Sequence, residues 1–256
     1  GDHRDLHSFP YTTLFRSMKY ELVESDLSEK VIAMYGEKLY RVKALKDFSD
    51  VKKGDLGGYV AGYHNLTQEG NAWIYDDAKV YNSALVYGDS QVREQARVTK
   101  YAHIEGSATV SGKAYVTDNV IIRDNARVDG NASVQEQAIV WGDAILAGRC
   151  IVADGANVSG YSQVFGEAFV VGHTKLRDNA CVYGVTRLEG NASVMGNAEV
   201  FGIATISEDA TVKDHAQVSG MAKIIGKSII SGYVKVAGDT ILKDVKVSEG
   251  ELGIKD

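Results

Sequence analysis

The chain has 256 residues, of which 45% are apolar, and its formal net charge at pH 7 is −6. Lysine and arginine are scattered singly, so the sequence offers no basic surface, and we expect neither nucleic acid nor anionic membrane as a partner. No run of 18 apolar residues and no secretory leader is present, which favours a cytoplasmic protein without a membrane span.

Residues 1–17 form a leader that shares no pattern with the rest of the chain. They read GDHRDLHSFPYTTLFRS and contain Pro10, the only proline. This stretch looks like translated sequencing-adapter read-through joined to a gene that starts at Met18, and it is left out of the fold prediction. A genuine disordered leader is the alternative.

Residues 18–69 lack the repeat that follows them and are predicted to form an N-terminal β cap. Their stretch VIAMYGEKLYRVKAL indicates two strands joined at residues 35–38. Without a cap, the first coil of a solenoid would present unpaired backbone groups and an open apolar core. We therefore expect this segment to cover the coil that contains residues 73–75.

Residues 70–243 consist of 29 hexapeptides without insertion or deletion, beginning GNAWIY, DDAKVY and NSALVY. The fifth position is always Val, Ile or Leu, and the third is Ala in 20 hexads and otherwise Ser, Thr, Cys or Val. A strict six-residue period with small and aliphatic residues two apart is typical of a parallel β-helix.

The geometry of the hexad follows from the period of an extended chain. Residues two apart point to the same side, so the third and fifth positions should face inward and the fourth and sixth should face solvent. The first two positions then form a corner, where Gly, Asp and Asn tolerate positive φ. Six residues per side suit a triangular prism, so we predict an all-β, single-stranded, three-sided solenoid with about 18 residues per coil.

The six-residue frame slips after Lys243, because Val245 and Val247 do not fit the preceding register. Residues 244–256 are therefore predicted to form a short closing strand and a polar tail.

His103 and Glu105 are the candidate catalytic residues. They occupy outward positions of one hexad, so an imidazole and a carboxylate could lie within hydrogen-bond range, as a general base and its orienting partner require. An exposed His near a Glu is also ordinary on a solvated face. His173 and His215 lie at corners on different edges and cannot converge, and two cysteines are too few for a zinc cluster, so no metal site is expected.

Outward apolar residues indicate a candidate interface. An 18-residue step places three aromatic residues at equivalent sites of successive coils, and further apolar residues lie on the adjoining side. Contiguous exposed apolar surface often marks an interface, although stacking that only stabilises the sheet is an alternative. The interface candidates are Phe165, Tyr183, Phe201, Ile151, Phe169 and Val171.

The stretch ALKDFSDVKKGDLGGYV at residues 44–60, followed by NLTQEG at 65–70 and WIYD at 73–76, resembles the amino-terminal region of the YdcK-like hexapeptide-repeat proteins. The resemblance is specific through about residue 95. It implies a left-handed β-helix, although parallel crossovers are normally right-handed, and it implies an acyl- or acetyltransferase label. Relatives with this rod usually assemble as side-by-side trimers. Hexapeptide acyltransferases also carry an extruded loop and a carboxy-terminal helix, and neither pattern occurs in these hexads or after residue 243.

Three functions follow as hypotheses. The uninterrupted repeat favours a non-catalytic scaffold or binding protein without a cofactor, whose rigid faces engage a protein partner or copies of itself, as in a trimer. The alternative is an acyltransferase that uses acetyl-CoA or another acyl-CoA between protomers, with His103 as base. The frequent phage-like setting of the resembling family suggests a third function, a phage-borne protein that sequesters a host factor.

Overall fold

The structure, a computed structural model, describes residues 18–27 and 34–253. The leader at 1–17 lies outside the described residues, as do residues 28–33 and 254–256. The described part is an all-β, left-handed parallel β-solenoid with three sides. No helix among these residues is long and apolar enough to cross a membrane.

The three sides are parallel sheets that we call faces 1, 2 and 3, in the order in which the chain visits them. Face 1 has eleven strands: β4 (Trp73–Ile74), β7 (Gln91–Val92), β10 (Thr109–Val110), β13 (Arg127–Val128), β16 (Ile145–Leu146), β19 (Gln163–Val164), β22 (Cys181–Val182), β25 (Glu199–Val200), β28 (Gln217–Val218), β31 (Lys235–Val236) and β34 (Glu251–Leu252).

Face 2 is the longest sheet, with 13 strands, because three cap strands extend it. Its strands are β1 (Tyr20–Glu24), β2 (Tyr40–Ala44), β3 (Leu56–Val60), β5 (Lys79–Val80), β8 (Arg97–Val98), β11 (Tyr115–Val116), β14 (Ser133–Val134), β17 (Ile151–Val152), β20 (Phe169–Val170), β23 (Arg187–Leu188), β26 (Thr205–Ile206), β29 (Lys223–Ile225) and β32 (Ile241–Lys243).

Face 3 has ten strands and ends near the carboxyl terminus of the described chain. Its strands are β6 (Leu85–Val86), β9 (His103–Ile104), β12 (Ile121–Ile122), β15 (Ile139–Val140), β18 (Asn157–Val158), β21 (Lys175–Leu176), β24 (Ser193–Val194), β27 (Thr211–Val212), β30 (Ile229–Ile230) and β33 (Lys246–Val247).

The register confirms the predicted coil. Val92 pairs with Val110, and Val110 pairs with Val128, so each turn of the rod consumes 18 residues. Ala126 and Val128, the third and fifth residues of one hexad, are fully buried. One continuous apolar core runs along the rod and is built from these two positions of every coil. Burial of one such aliphatic side chain contributes about 1.5–3 kcal/mol.

Backbone conformation explains the corners. The first residue of each of the 29 hexads has positive φ, and at 11 of these positions it is not glycine. Asp and Asn tolerate this region, as the sequence predicts, but Glu94, Lys100, Glu136 and Glu208 also adopt it. Because left-handed φ costs an ordinary residue about 1–2 kcal/mol, the stacked coils impose this conformation against local preference.

The amino-terminal cap adds antiparallel strands to face 2. β1 pairs with β2 and β2 with β3 in antiparallel fashion, whereas β3 pairs with β5 in parallel. The predicted hairpin around residues 35–38 is only partly described: β2 matches its second strand, residues 31–33 lie outside the described part, and Met34 and Tyr35 are helical. The partner of β2 is β1.

The cap closes the first coil over Trp73, whose side chain is only 1% exposed. The ring of Phe48 meets the Trp73 ring edge-on at 5.3 Å, and the Tyr20 ring does so at 6.2 Å. Gly57 and Gly58 let the β3 backbone lie directly on this coil, because a Cβ at either position would collide with the backbone of the first hexad.

At the other end, β33 and β34 continue faces 3 and 1 beyond Lys243 in parallel register. Ile229 pairs with Lys246 and Lys235 with Glu251, so the last steps shorten to 17 and 16 residues. This shortening accommodates the slip of the frame. The closing segment thus contributes two strands to the rod.

Candidate functional site

His103 and Glu105 lie on face 3 as the hexad predicts, but they do not contact each other. His103 is half-buried between Leu85 and Ile121, its neighbours in the sheet, and its ring lies edge-on to Tyr87 with 6.4 Å between centroids. Within the described part of the chain, no hydrogen bond or ion pair joins His103 to Glu105. Acid–base chemistry by this pair would need a rotation of the side chains.

The other described histidines have separate surroundings. His64 Nε2 lies 2.8 Å from the carbonyl oxygen of Asn82. His215 stacks on Tyr233 with 4.6 Å between ring centroids, and His173 leans over Gly155 on a different edge. Across residues 18–27 and 34–253, no three His, Cys, Asp or Glu side chains are grouped to hold a metal ion.

Both cysteines are free thiols with little nucleophilic character. Cys150 replaces the inward Ala of its hexad and is fully buried, and burial raises its pKa to about 12. Cys181 is half-buried on face 1, where burial and then the charge of Glu199 raise its pKa. Raised thiol pKa values disfavour the thiolate that nucleophilic catalysis needs.

The predicted aromatic ladder extends over two of its three rings. Tyr183 and Phe201 stack with 5.0 Å between centroids and 2° between ring planes. Phe165 occupies the equivalent site one coil earlier and is half-buried, yet it makes no ring contact with Tyr183 among the described residues. The stack lies where the strands of face 1 end, beside the edge between faces 1 and 2.

The apolar patch on face 2 is mostly half-buried. Ile151 and Val171 are partly covered, and Ala153 is buried. Phe169 is 36% exposed, and the guanidinium of Arg187 lies 5.9 Å from its ring centroid. Phe169 therefore contributes most of the exposed surface of this patch.

Three residues that the sequence prediction missed lie on the edge between faces 1 and 2. Val185, Ile203 and Met221 occupy second hexad positions of successive coils and are 49%, 60% and 54% exposed. We call these three residues the apolar ridge. It lies between the Tyr183–Phe201 stack and face 2. Its signal in the sequence is an 18-residue recurrence of aliphatic residues at a position that is otherwise polar.

The surroundings of the apolar ridge are polar. One coil before Val185, the same edge carries an ion pair in which the Arg149 guanidinium donates to Glu167 at 3.1 Å. One coil after Met221, the equivalent residue is Asp239. An apolar row with charged residues at both ends has the anatomy of an interface core with a polar rim.

A comparison with protein-family models found no family that matches this chain. A comparison with curated proteins likewise found no relative.

Proposed function

We propose that this chain is a non-catalytic β-solenoid scaffold that binds protein, foremost further copies of itself, through the apolar ridge. The exposure of Val185, Ile203 and Met221 carries this proposal. Solvent-exposed aliphatic residues are common singly, but a contiguous row of them flanked by aromatic rings usually marks a contact surface.

The size of the surface fits the centre of an interface. Successive coils are about 4.8 Å apart, so the apolar ridge is roughly 10 Å long. Tyr183 and Phe201 on one side and Phe169 on the other widen it, as aromatic residues commonly do at the centre of protein contacts. Because coil packing already orders the backbone of the rod, docking along this edge loses little conformational entropy.

Mass in solution tests this proposal. We expect wild type to form an oligomer, and we expect the triple variant Val185→Ser, Ile203→Ser, Met221→Ser to dissociate to a smaller mass in sedimentation velocity. Tyr101→Ser is the matched control, because Tyr101 is 63% exposed at the same hexad position on another edge. A monomeric wild type contradicts self-association, and an oligomer that survives the triple change excludes the apolar ridge.

Membership of the YdcK-like proteins is part of the same proposal. The stretch at residues 44–60 supports it, since that stretch ends in β3, whose glycines lie on the first coil. The acyltransferase alternative makes a different prediction. Calorimetric binding of acetyl-CoA that is lost in His103→Ala would favour the enzyme over the scaffold.

A further inference from the structure

Planar side chains 18 residues apart stack along this rod. The rings of Tyr183 and Phe201 are 5.0 Å apart and 2° from parallel, and those of His215 and Tyr233 are 4.6 Å apart and 1° from parallel. These distances match the spacing of neighbouring strands, about 4.8 Å. A row of planar groups on this solenoid therefore advances by one group per coil.

One such row on face 3 lacks a member. The Arg123 guanidinium lies 5.1 Å from the Trp141 ring centroid, and the next two residues of the row are Ser159 and Arg177. Trp141 and Arg177 are thus two coils apart, roughly 9.6 Å. That separation fits one planar group between them, and Ser159 is too small to supply it. We call this space the ring gap.

A cavity of about 460 Å³ lies at the ring gap and is lined by Trp141, Asn157, Ser159, Lys175 and Arg177, among others. This volume falls in the range of small-molecule sites. The Trp141 Nε1–H donates to Asn157 Oδ1 at 3.0 Å, which orients the indole. Ser159 is 6% exposed and its hydroxyl donates to the Leu176 carbonyl at 3.2 Å, so the floor of the cavity already has its hydrogen bond.

The cavity is also cationic in a chain whose net charge is negative. Lys175 and Arg177 are exposed on its wall, and neither forms an ion pair with a carboxylate of the described residues. Asp178 is next to Arg177 in the sequence, but its carboxylate accepts a hydrogen bond from the Gly196 amide at 3.0 Å. Two cations without an acidic partner favour an anionic ligand.

We propose that the ring gap binds a small planar aromatic anion. Its ring inserts above Ser159 between the Trp141 indole and the Arg177 guanidinium and replaces the missing member of the row. Its acidic group pairs with Lys175. Stacking on the indole and on the guanidinium, together with one charge-assisted contact, supplies the affinity. This site is independent of the apolar ridge, which lies on another edge of the rod.

Calorimetry with two probes tests the proposal and identifies the acidic group. We use 2-naphthoate, which carries a carboxylate, and adenosine monophosphate, which carries a phosphate. Binding of either one supports the site, and the tighter probe indicates the source of the anion. The neutral analogue 2-naphthamide should bind about tenfold or more weakly than 2-naphthoate, because it lacks the charge. Failure of both anions to bind at about 1 mM overturns the proposal.

The variant Ser159→Tyr tests the location, because the chain then supplies the missing ring itself. We expect it to fold and to lose probe binding at least tenfold, whereas Ser159→Ala, which leaves the ring gap open, binds like wild type. Lys175→Gln and Arg177→Gln should each weaken binding about tenfold. They serve as the test of location if Ser159→Tyr does not fold.

Lys213→Gln is the matched control, because Lys213 lies in the same row two coils beyond Arg177. Its affinity for the probe should equal that of wild type. Trp141 gives an independent readout, since the only other tryptophan, Trp73, is 1% exposed. Quenching of the exposed indole by the probe should disappear in Trp141→Phe. Undiminished binding by a folded Ser159→Tyr, or by Lys175→Gln and Arg177→Gln together, contradicts the assignment.

Discussion

At the scale of single residues, the third hexad position shows how the interior treats hydroxyl groups. Ser162 replaces the usual Ala, and its hydroxyl donates to the Ser159 carbonyl at 2.6 Å. Ser90 and Ser228 bond in the same way to the carbonyl three residues earlier, at 2.7 and 2.8 Å. The buried hydroxyl of Thr186 has no partner among the described residues. An unpaired buried hydroxyl costs about 1–3 kcal/mol.

We therefore expect Thr186→Val to raise the free energy of unfolding by about 1 kcal/mol, because it removes the unpaired hydroxyl and keeps the side-chain shape. Valine already occupies third positions at Val120 and Val234, so the interior accepts it. Urea denaturation followed by circular dichroism measures the change. Ser162→Ala is the control and should lose about 1 kcal/mol, because its hydroxyl is bonded. A destabilised Thr186→Val would show that Thr186 is satisfied in solution.

At the scale of elements, the cap contains the least typical buried group of the described chain. Lys19 directly precedes β1 and is 1% exposed. Its ammonium donates to the carbonyls of Ala72 at 2.9 Å and of Glu69 and Gly70 at 3.3 and 3.4 Å, where the repeat begins. Lys19 thereby satisfies carbonyl groups at the open end of the rod. Burial lowers the pKa of Lys19 to about 8, and the nearby charge of Lys46 lowers it further in the same direction.

This pKa makes the stability of the cap depend on pH. The folded state releases the Lys19 proton near pH 8, whereas the unfolded chain holds it until about 10.5. Because the unfolded state then binds more protons, stability rises with pH across this interval. Between about pH 8 and pH 10 we expect wild type to gain on the order of 2 kcal/mol relative to Lys19→Met, since one pKa unit corresponds to about 1.4 kcal/mol.

Thermal or urea unfolding of the two proteins at several pH values measures this gain. Comparison with Lys19→Met cancels the other groups that titrate in the same interval, such as the two thiols. Lys43→Met, a change at a half-exposed lysine of β2, should keep the wild-type pH profile. A constant difference between wild type and Lys19→Met would mean that the carbonyl contacts hold the Lys19 proton at its ordinary pKa.

At the scale of the whole molecule, the two ends of the rod are unequal. Each coil contacts only its neighbours, so the stability of a solenoid is close to a sum of coil and interface contributions. The first coil lies beneath the cap, and Trp73 is almost fully buried. In the last described coil, Leu242, Val247 and Leu252 are only partly buried, and Ile241 is 62% exposed.

We expect hydrogen exchange to follow this asymmetry. Amides of β32, β33 and β34 should exchange faster than those of β4 and β5, because coils at the less covered end open at lower free energy. Exchange followed by mass spectrometry of peptides measures this gradient. The central strands β16 to β20 serve as the internal reference and should exchange most slowly. Equal rates at both ends would show that the cap does not protect the first coil.

Much of the fold was predictable because the repeat is local. Ala126 and Val128 face inward by the two-residue alternation of any strand, and the hexad fixes the length of a side. Positive φ at the first position follows from the residue types there, but only at Gly, Asp and Asn. Glu94 and Lys100 adopt the same conformation because neighbouring coils impose it.

The candidate sites were less predictable, because outward side chains carry no such constraint. The sequence placed His103 and Glu105 on one face, but their orientations depend on neighbours such as Tyr87 and leave the pair unbonded. It also aligned Phe165 with Tyr183, although the stack excludes Phe165.

The sequence by itself determined the three-sided coil, its 18-residue step and its apolar interior, since each depends on residues within one hexad. Only the tertiary structure decided the pairing of β1 with β2, the exposure of the apolar ridge and the ring gap at Ser159. These features depend on which side chains meet across coils, 18 residues apart in sequence and about 4.8 Å apart in space. A side chain on the surface of the rod is positioned by the coils above and below it, and not by its own hexad.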